Sequence, residues 1–459
     1  MSASALGGAL TYMASKAKHR WWRRLWICGG LSLGAVAVVL FVSSRAVLNG
    51  YAKGKVERAF ALAHPGCALR IGVLEYAVGA NRLVADSVTL ETTNASFRSG
   101  RISLTGVRWQ RLLWGTAPWA VVLDQTDLDA ASLDWRFPRS HYAIRCARLR
   151  ASVPNSKLLA EHAEVRSLIP DDALFAASDF RTTRFHLILP EFRVVGLAYA
   201  DLLAGKSYRA SSVLLSRPSL DVLVNRDKPM KPFLKSPLML VDALAAIPQP
   251  LQVNRLTIAN GELSYSEQVV AGAPPGSLTF TAVDMSAEGL GNHGGPPANI
   301  QIQAQGNLMT TARLKVVMTI PVAASDLSLH YSGSLNAMDL TRLGAFLEIA
   351  DHLRIKSGSA QEATFDNDVS AGRARGQVHA LYHDLKIAFL DPQTASEKGV
   401  VNRVSSFLVN TLKIRDSNLP DPPGSIKVGE VNYTRKPADE FLQFTWFALR
   451  SGVLDVISH

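Results

Sequence analysis

The sequence predicts a mainly β protein, in which an N-terminal transmembrane helix precedes an antiparallel β-sheet with a few short helices. Three observations support this prediction. An uncharged, apolar stretch of 20 residues lies near the N-terminus, apolar and polar residues alternate through most of the remaining chain, and helical patterns are few. A period of two gives a strand one apolar and one polar face, which is typical of antiparallel sheets.

The transmembrane helix is predicted at residues 25–44, because 20 residues that rise about 1.5 Å each span the roughly 30 Å hydrocarbon layer of a bilayer. Residues 1–24 contain five basic and no acidic residues. The positive-inside rule therefore places this tail in the cytoplasm and the body of the protein on the far side. Ser44-Arg45-Ala46 also resembles a signal-peptide cleavage site, but the long leader and the long apolar segment favour an uncleaved signal anchor.

The net charge of +11 does not indicate a nucleic-acid partner. Residues 1–45 contain six basic and no acidic residues, which leaves 43 basic against 38 acidic residues in the rest of the chain. No run of Lys and Arg is interleaved with aromatic residues, so nucleic-acid binding is not predicted. Cys67 and Cys146 would both lie outside the cytoplasm, where a disulfide and two buried thiols remain open alternatives.

The alternating pattern predicts individual strands. In residues 145–153, Ala147, Leu149 and Ala151 alternate with Cys146 and the arginines, which puts them on an apolar face. Asn260-Gly261 predicts a hairpin turn between two short strands. If the apolar face lines a groove, the candidate lipid-contacting residues are Leu149, Leu187, Leu189, Val316, Met318, Val378 and Ala380. A packed β-sandwich core built from the same residues is the alternative.

Helices are predicted where the period of two is interrupted. A juxtamembrane helix falls within residues 45–66, and further helices are predicted at 234–246, 339–350, 398–412 and 438–457. The body of the protein then has an N-terminal part, 67–235, and a C-terminal part, 236–459, of one β-groove domain. The last helix has little polar face, so we expect it to cap the open end of the sheet, with Phe441, Phe444, Trp446 and Phe447 as its main apolar residues.

No catalytic site is predicted. Residues 205–207 (Gly-Lys-Ser) follow an alanine where a phosphate loop needs its first glycine. His379 and His383 would lie about 13 Å apart along a strand, which is too far for one metal ion. Asp366 and Asp368 share a polar strand face, which favours solvated carboxylates over an acid–base pair. We therefore expect a protein that is not an enzyme and has no cofactor or metal.

Five segments resemble the AsmA-like envelope proteins, and in particular the branch of that superfamily described only as a domain of unknown function. They are RLVADSVTLETTNASFRSGRISLTGVRW (82–109), VNRDKPMKP (224–232), VNRLTIANGELSYSE (253–267), IKSGSAQEATF (355–365) and VNYTRKPADEFLQFTWFALRSGV (431–453). The resemblance implies a mainly β fold in which a long, curled antiparallel β-sheet forms a taco-like groove with an apolar inner face. It also implies a protein of the inner membrane whose body lies in the periplasm.

The resemblance implies a role in lipid transfer between envelope membranes or in outer-envelope biogenesis. Membrane lipids, most simply phospholipids, are then the expected partners, and an envelope protein is a second one. Two alternatives come from other classes: a non-catalytic scaffold for envelope assembly, which would bind a partner strand at an open sheet edge, and an extracytoplasmic enzyme, for which no motif is present.

Overall fold

A computed structural model of the chain describes residues 53–63, 65–108, 119–229, 244, 246–292, 298–322, 327–391, 414–420, 426–436, 439 and 441–458. The predicted tail at 1–24, the predicted anchor at 25–44 and the predicted helix at 398–412 lie outside these residues, as does most of the one at 234–246. In the part that the structure describes, no helix is both long and apolar enough to cross a membrane.

The described chain is mainly β with a few short helices, which confirms the coarse fold class. The strands are β1 Cys67–Ala77, β2 Arg82–Thr92, β3 Ser96–Thr105, β4 Asp127–Phe137, β5 Tyr142–Ser152, β6 Lys157–Ser167, β7 Thr183–Val195, β8 Tyr208–Ser216, β9 Ser219–Asn225, β10 Leu251–Gln268, β11 Gly276–Gly291, β12 Asn299–Leu308, β13 Ala312–Pro321, β14 Leu329–Asp339, β15 Leu353–Ser370, β16 Arg373–Phe389 and β17 Val428–Thr434. The α-helices are α1 Lys53–Ala63, α2 Trp119–Val122, α3 Asp171–Ala176, α4 Tyr199–Leu203, α5 Gly344–Ala350 and α6 Phe441–Ile457, with 3₁₀ turns at Val78–Ala80 and Leu340–Leu343.

The chain forms two compact units. The first consists of the described residues within 53–164, 193–210 and 248–250, and the second of those within 165–192, 211–247 and 251–458. The second unit therefore contains strand residues on both sides of position 235, where the sequence suggested a division. The reason is that β9 pairs in parallel with the second half of β10, so these distant segments belong to one sheet.

In the first unit, β1 to β5 form an antiparallel meander in which each strand pairs with the next. Its apolar core includes Leu69, Leu83 and Leu104 from the sheet and Phe60 from α1. Two side chains of α1 also bind the backbone of β1 on the side away from β2. Glu57 Oε1 accepts a hydrogen bond from the Ile71 N–H at 2.8 Å, and Lys53 Nζ donates one to the Gly72 carbonyl at 3.0 Å.

One row of facing residues that crosses this meander includes two residues with a positive φ. We call it the crease row. It consists of Gly72, Ser87, Gly100, Ser132 and Ala147, which the strand registers place opposite one another on β1 to β5. Ser87 and Ser132 both have a φ of 54°. A positive φ interrupts the pleat, so the side-chain alternation changes phase at this row.

The crease row corrects the alternation predicted for residues 145–153. Ala147 is exposed, whereas Cys146, assigned to the polar face by the sequence pattern, is buried. Leu149 stays half-buried opposite the buried Ala130 on β4. Cys146 and Cys67 are not joined in a disulfide. Burial raises the pKa of the Cys146 thiol, because desolvation disfavours the thiolate.

In the second unit, β10 to β17 form an antiparallel meander, and β9 adds a parallel strand to β10, so this sheet is mixed. The hairpin predicted at Asn260-Gly261 is wrong. Asn260 has a φ of 53°, but β10 continues through it and pairs with β11 on both sides, with only a register shift there. The same Asn-Gly chemistry that makes hairpin turns is here a bulge within one long strand.

The α5 and α6 helices pack on strands of the second unit. The α5 helix, which lies in the predicted 339–350 segment, contacts β10, β11 and β15. The α6 helix packs on β16 and β17, and its Gly452 lies directly over Gly429. A Cβ atom on Gly429 would lie 2.6 Å from Val456 Cγ2, so glycine is needed for this close approach of helix and sheet.

Candidate functional site

The candidate functional site is the apolar face of the second unit, which is lined by alternate residues of β12 to β17. Because directly paired residues share a face, the register aligns their side chains in rows across the sheet. One row runs through Val316, Gly333, Phe365, Val378 and Gly429. The next row, which we call the polar-pair row, consists of Ile302, Met318, Tyr331, Asn367, Gly376 and Val431.

The opposite face of the same strands is charged and wet. His330 Nδ1 lies 2.9 Å from Asp368 Oδ1, and Asp366 lies beside them. The side chain of Asp366 is 70% exposed, and that of Asp368 is 80% exposed. Side chains in these surroundings are typical of a solvated sheet face. They do not form a buried site that would hold a cation.

The predicted groove residues have different surroundings. Val316, Met318 and Ala380 are half-buried and pack against the buried core cluster of the second unit. Val378 is only 1% exposed, and it lies under Gly452 of α6, so this residue is packed beneath the helix. Leu187 and Leu189 are half-buried on β7. Leu149 belongs to the first unit, whereas Val316, Met318, Val378 and Ala380 belong to the second.

The predicted capping residues lie on α6. Phe444 is 0% exposed and Phe441 packs on the same core, while Trp446 and Phe447 are half-buried. The ring of Tyr433 on β17 lies 6.0 Å from that of Phe444 and 5.8 Å from that of Phe447. These contacts place the helix on the face of the last strand of the meander.

The α6 helix also binds the free side of β17. Asp455 Oδ2 accepts a hydrogen bond from the Glu430 N–H at 2.8 Å, and Ser451 Oγ accepts one from the Asn432 N–H at 3.2 Å. These two N–H groups point away from β16, toward the edge of β17 at which a partner strand would otherwise pair. Two positions of the β17 edge are therefore occupied by side chains of the protein itself.

The VNRDKP segment is structural in this fold. Arg226 forms an ion pair with the buried Glu267, whose other oxygen accepts a hydrogen bond from the Tyr265 hydroxyl at 2.8 Å. Lys228 Nζ donates hydrogen bonds to the carbonyls of Phe175 (2.7 Å) and Ser178 just after α3. Arg226 thus serves in an ion pair within the fold, and Lys228 caps the end of α3, as lysine often does at helix C-termini.

A partly buried ion pair connects α5 and α6. Arg450 Nη1 on α6 lies 2.8 Å from Asp351 Oδ1, which follows α5. Burial raises the pKa of Asp351, and the charge of Arg450 opposes that shift. The pair therefore positions α6 relative to α5.

Sequence reasoning missed the two polar residues of the polar-pair row. Asn367 is 0% exposed and Tyr331 is 3% exposed. In the described structure, neither amide atom of Asn367 nor the hydroxyl of Tyr331 has a hydrogen-bond partner. Burial raises the pKa of Tyr331. An unpaired buried polar group costs about 1–3 kcal/mol, so two adjacent ones on an apolar face are unusual. The only sequence signal was one polar residue, Asn367, between Phe365 and Val369.

Comparison of the chain with models of known protein families and with curated protein sequences finds no match.

Proposed function

We propose that this protein is a membrane-anchored, extracytoplasmic lipid-binding protein, whose second unit holds acyl chains on a curled apolar face. The observation that carries the proposal is a face of half-buried apolar side chains, such as Ile302, Val316 and Met318, backed by a charged outer face. Removing apolar surface from water stabilises a complex by about 25 cal/mol per Å². This is enough for the apolar face to bind an acyl chain.

The contacts of α5 support a curl in this sheet. Ile349 of α5 lies against Gly276 at the start of β11, and Phe346 lies 6.1 Å from the Tyr265 ring on β10. On its other side, Glu348 pairs with Arg354 of β15 at 2.8 Å. Four strand spacings separate β11 from β15, or about 19 Å on a flat sheet, whereas seven helical residues are only about 10 Å long. A sheet that curls between these strands accommodates both sets of contacts.

The apolar stretch at 25–44 would anchor the protein in the inner membrane with its body in the periplasm. This placement agrees with the resemblance to AsmA-like envelope proteins, and it makes phospholipids of the envelope the expected ligands. The scaffold alternative needs an open strand edge for a partner. The Asp455 and Ser451 contacts with β17 make that alternative weaker at this edge.

Substitution on the two faces of β13 tests the proposal. Val316→Glu places a charge among the acyl chains, and we expect it to abolish lipid that co-purifies from membranes in mild detergent, measured by mass spectrometry. Val317→Glu is the matched control, because Val317 is 44% exposed and alternates with Val316 toward the other face. It should leave the lipid signal unchanged.

Two results would contradict the proposal. The first is wild-type protein that carries no lipid above the level of an unrelated single-pass protein. The second is a Val316→Glu variant that loses its folded structure by circular dichroism, since that would indicate a packed core. Folded Ala380→Glu and Leu187→Glu variants extend the test to other strands.

A further inference from the structure

The polar-pair row combines two unpartnered polar side chains with apolar neighbours. Tyr331 and Asn367 are directly paired across β14 and β15, so their Cβ atoms are about 5 Å apart on one face. On the far side of Asn367, Gly376 has no side chain, and a Cβ there would lie 2.4 Å from Asn367 Oδ1. The Asn367 amide therefore lies over a position that only glycine leaves open.

Among the described residues, the charged neighbours of this pair on β15 and β16 belong to the other face of the sheet. Asp366, Asp368 and Arg375 are exposed on the neighbouring positions, and the pleat directs them away from Tyr331. These three residues therefore offer no counter-charge to a phosphate or carboxylate beside Asn367. An uncharged group that accepts hydrogen bonds fits, because the Tyr331 hydroxyl and the Asn367 NH₂ both donate.

We infer that Tyr331 and Asn367 bind the ester carbonyl of an acylated lipid whose chains lie along the apolar face. This inference rests on the proposed function and names its ligand more closely. The next residue of the row, Met318, is half-buried and directly paired with Tyr331. Rotation of its flexible thioether side chain would open a path for the carbonyl to Tyr331.

Diester and diether lipids of equal chain length distinguish this inference from general lipid binding. The full-length protein in an ester-free detergent is titrated with dioleoyl phosphatidylglycerol or with its dialkyl ether analogue, and displacement of a fluorescent lipid is measured. We expect the wild type to bind the diester about two- to tenfold more tightly, which corresponds to one neutral hydrogen bond.

The variants Tyr331→Phe and Asn367→Leu should bring that ratio close to one without weakening diether binding. Tyr382→Phe is the matched control, since its hydroxyl already donates to the Arg415 carbonyl at 3.2 Å and should not affect the ratio. Tyr331→Phe removes only an unpaired hydroxyl, so this variant carries the test even if Asn367→Leu does not fold.

The outcomes separate the two proposals. Equal binding of both lipids by the wild type overturns the ester inference and leaves the lipid-binding face standing. An unchanged preference for the diester in Tyr331→Phe and Asn367→Leu overturns the ester inference as well, because another residue then binds the ester carbonyl. If the wild type binds neither lipid, the proposed function and this inference fail together.

Discussion

At the scale of residues, the positive φ of Ser87 in the crease row requires a glycine on the neighbouring strand. Ser87 adopts a φ of 54°, and Gly72 lies opposite it on β1. A Cβ on Gly72 would lie 2.9 Å from both Ser87 Cβ and the Asp86 carbonyl oxygen. The glycine is therefore required because the interrupted pleat directs the Ser87 side chain toward its neighbour.

Substitutions at Gly72 and Ser87 should change the free energy of unfolding by different amounts. Gly72→Ala should lower the free energy of unfolding by about 1–3 kcal/mol, because backbone as well as side chain must shift. Ser87→Gly should change it by less than about 1 kcal/mol, since relief of the positive φ offsets the added chain entropy. The double variant should recover part of the Gly72→Ala loss. Urea unfolding of the protein expressed without residues 1–46 measures all three changes.

Gly79→Ala is the control for that series, because a Cβ at Gly79 would have no neighbour within 4 Å. Equal losses for Gly72→Ala and Gly79→Ala would show that the crease row has no steric role.

At the scale of elements, each unit uses helix side chains to bind the free side of a strand. In the first unit, Glu57 and Lys53 of α1 bind the backbone of β1. In the second unit, Asp455 and Ser451 of α6 bind that of β17. An exposed strand edge is a template for pairing with another chain, so these contacts protect against association between copies.

Removal of the α6 contacts should expose the β17 edge. In protein expressed without residues 1–46, the double variant Ser451→Ala/Asp455→Ala should form dimers or larger oligomers at concentrations where the protein with Ser451 and Asp455 is monomeric, as measured by light scattering. Gln443→Ala, on the same helix, should remain monomeric. A monomeric double variant of unchanged thermal stability would show that α6 acts only through its apolar face. Deletion of residues 438–459 should have a larger effect, because it also uncovers Val431 and Tyr433.

At the scale of the whole molecule, the proposed function depends on which side of the membrane the body occupies. A reporter enzyme that is active only outside the cytoplasm should be active when fused after His459 and inactive when fused at Met1, because the basic residues of 1–24 stay inside. Replacing those five basic residues with serine should reduce the asymmetry. The reverse pattern of activity would overturn the periplasmic placement and, with it, the proposed lipid ligands.

The sequence by itself determined the mainly β class, the strands around Leu187, Val316 and Val378, and the helices at α5 and α6. These features are local, because a period of two or of 3.6 is visible within one short segment. It also indicated that Asp366 and Asp368 lie on a polar face opposite Phe365, as the structure shows.

Only the tertiary structure decided which residues meet. The burial of Cys146 in place of Ala147, the continuation of β10 through Asn260 and the cover of Val378 by α6 all depend on neighbouring elements. The pairing of Tyr331 with Asn367 depends on the register of β14 against β15. A register is set by many contacts between segments distant along the chain, and a shift of one residue reverses every face, so no local pattern contains it.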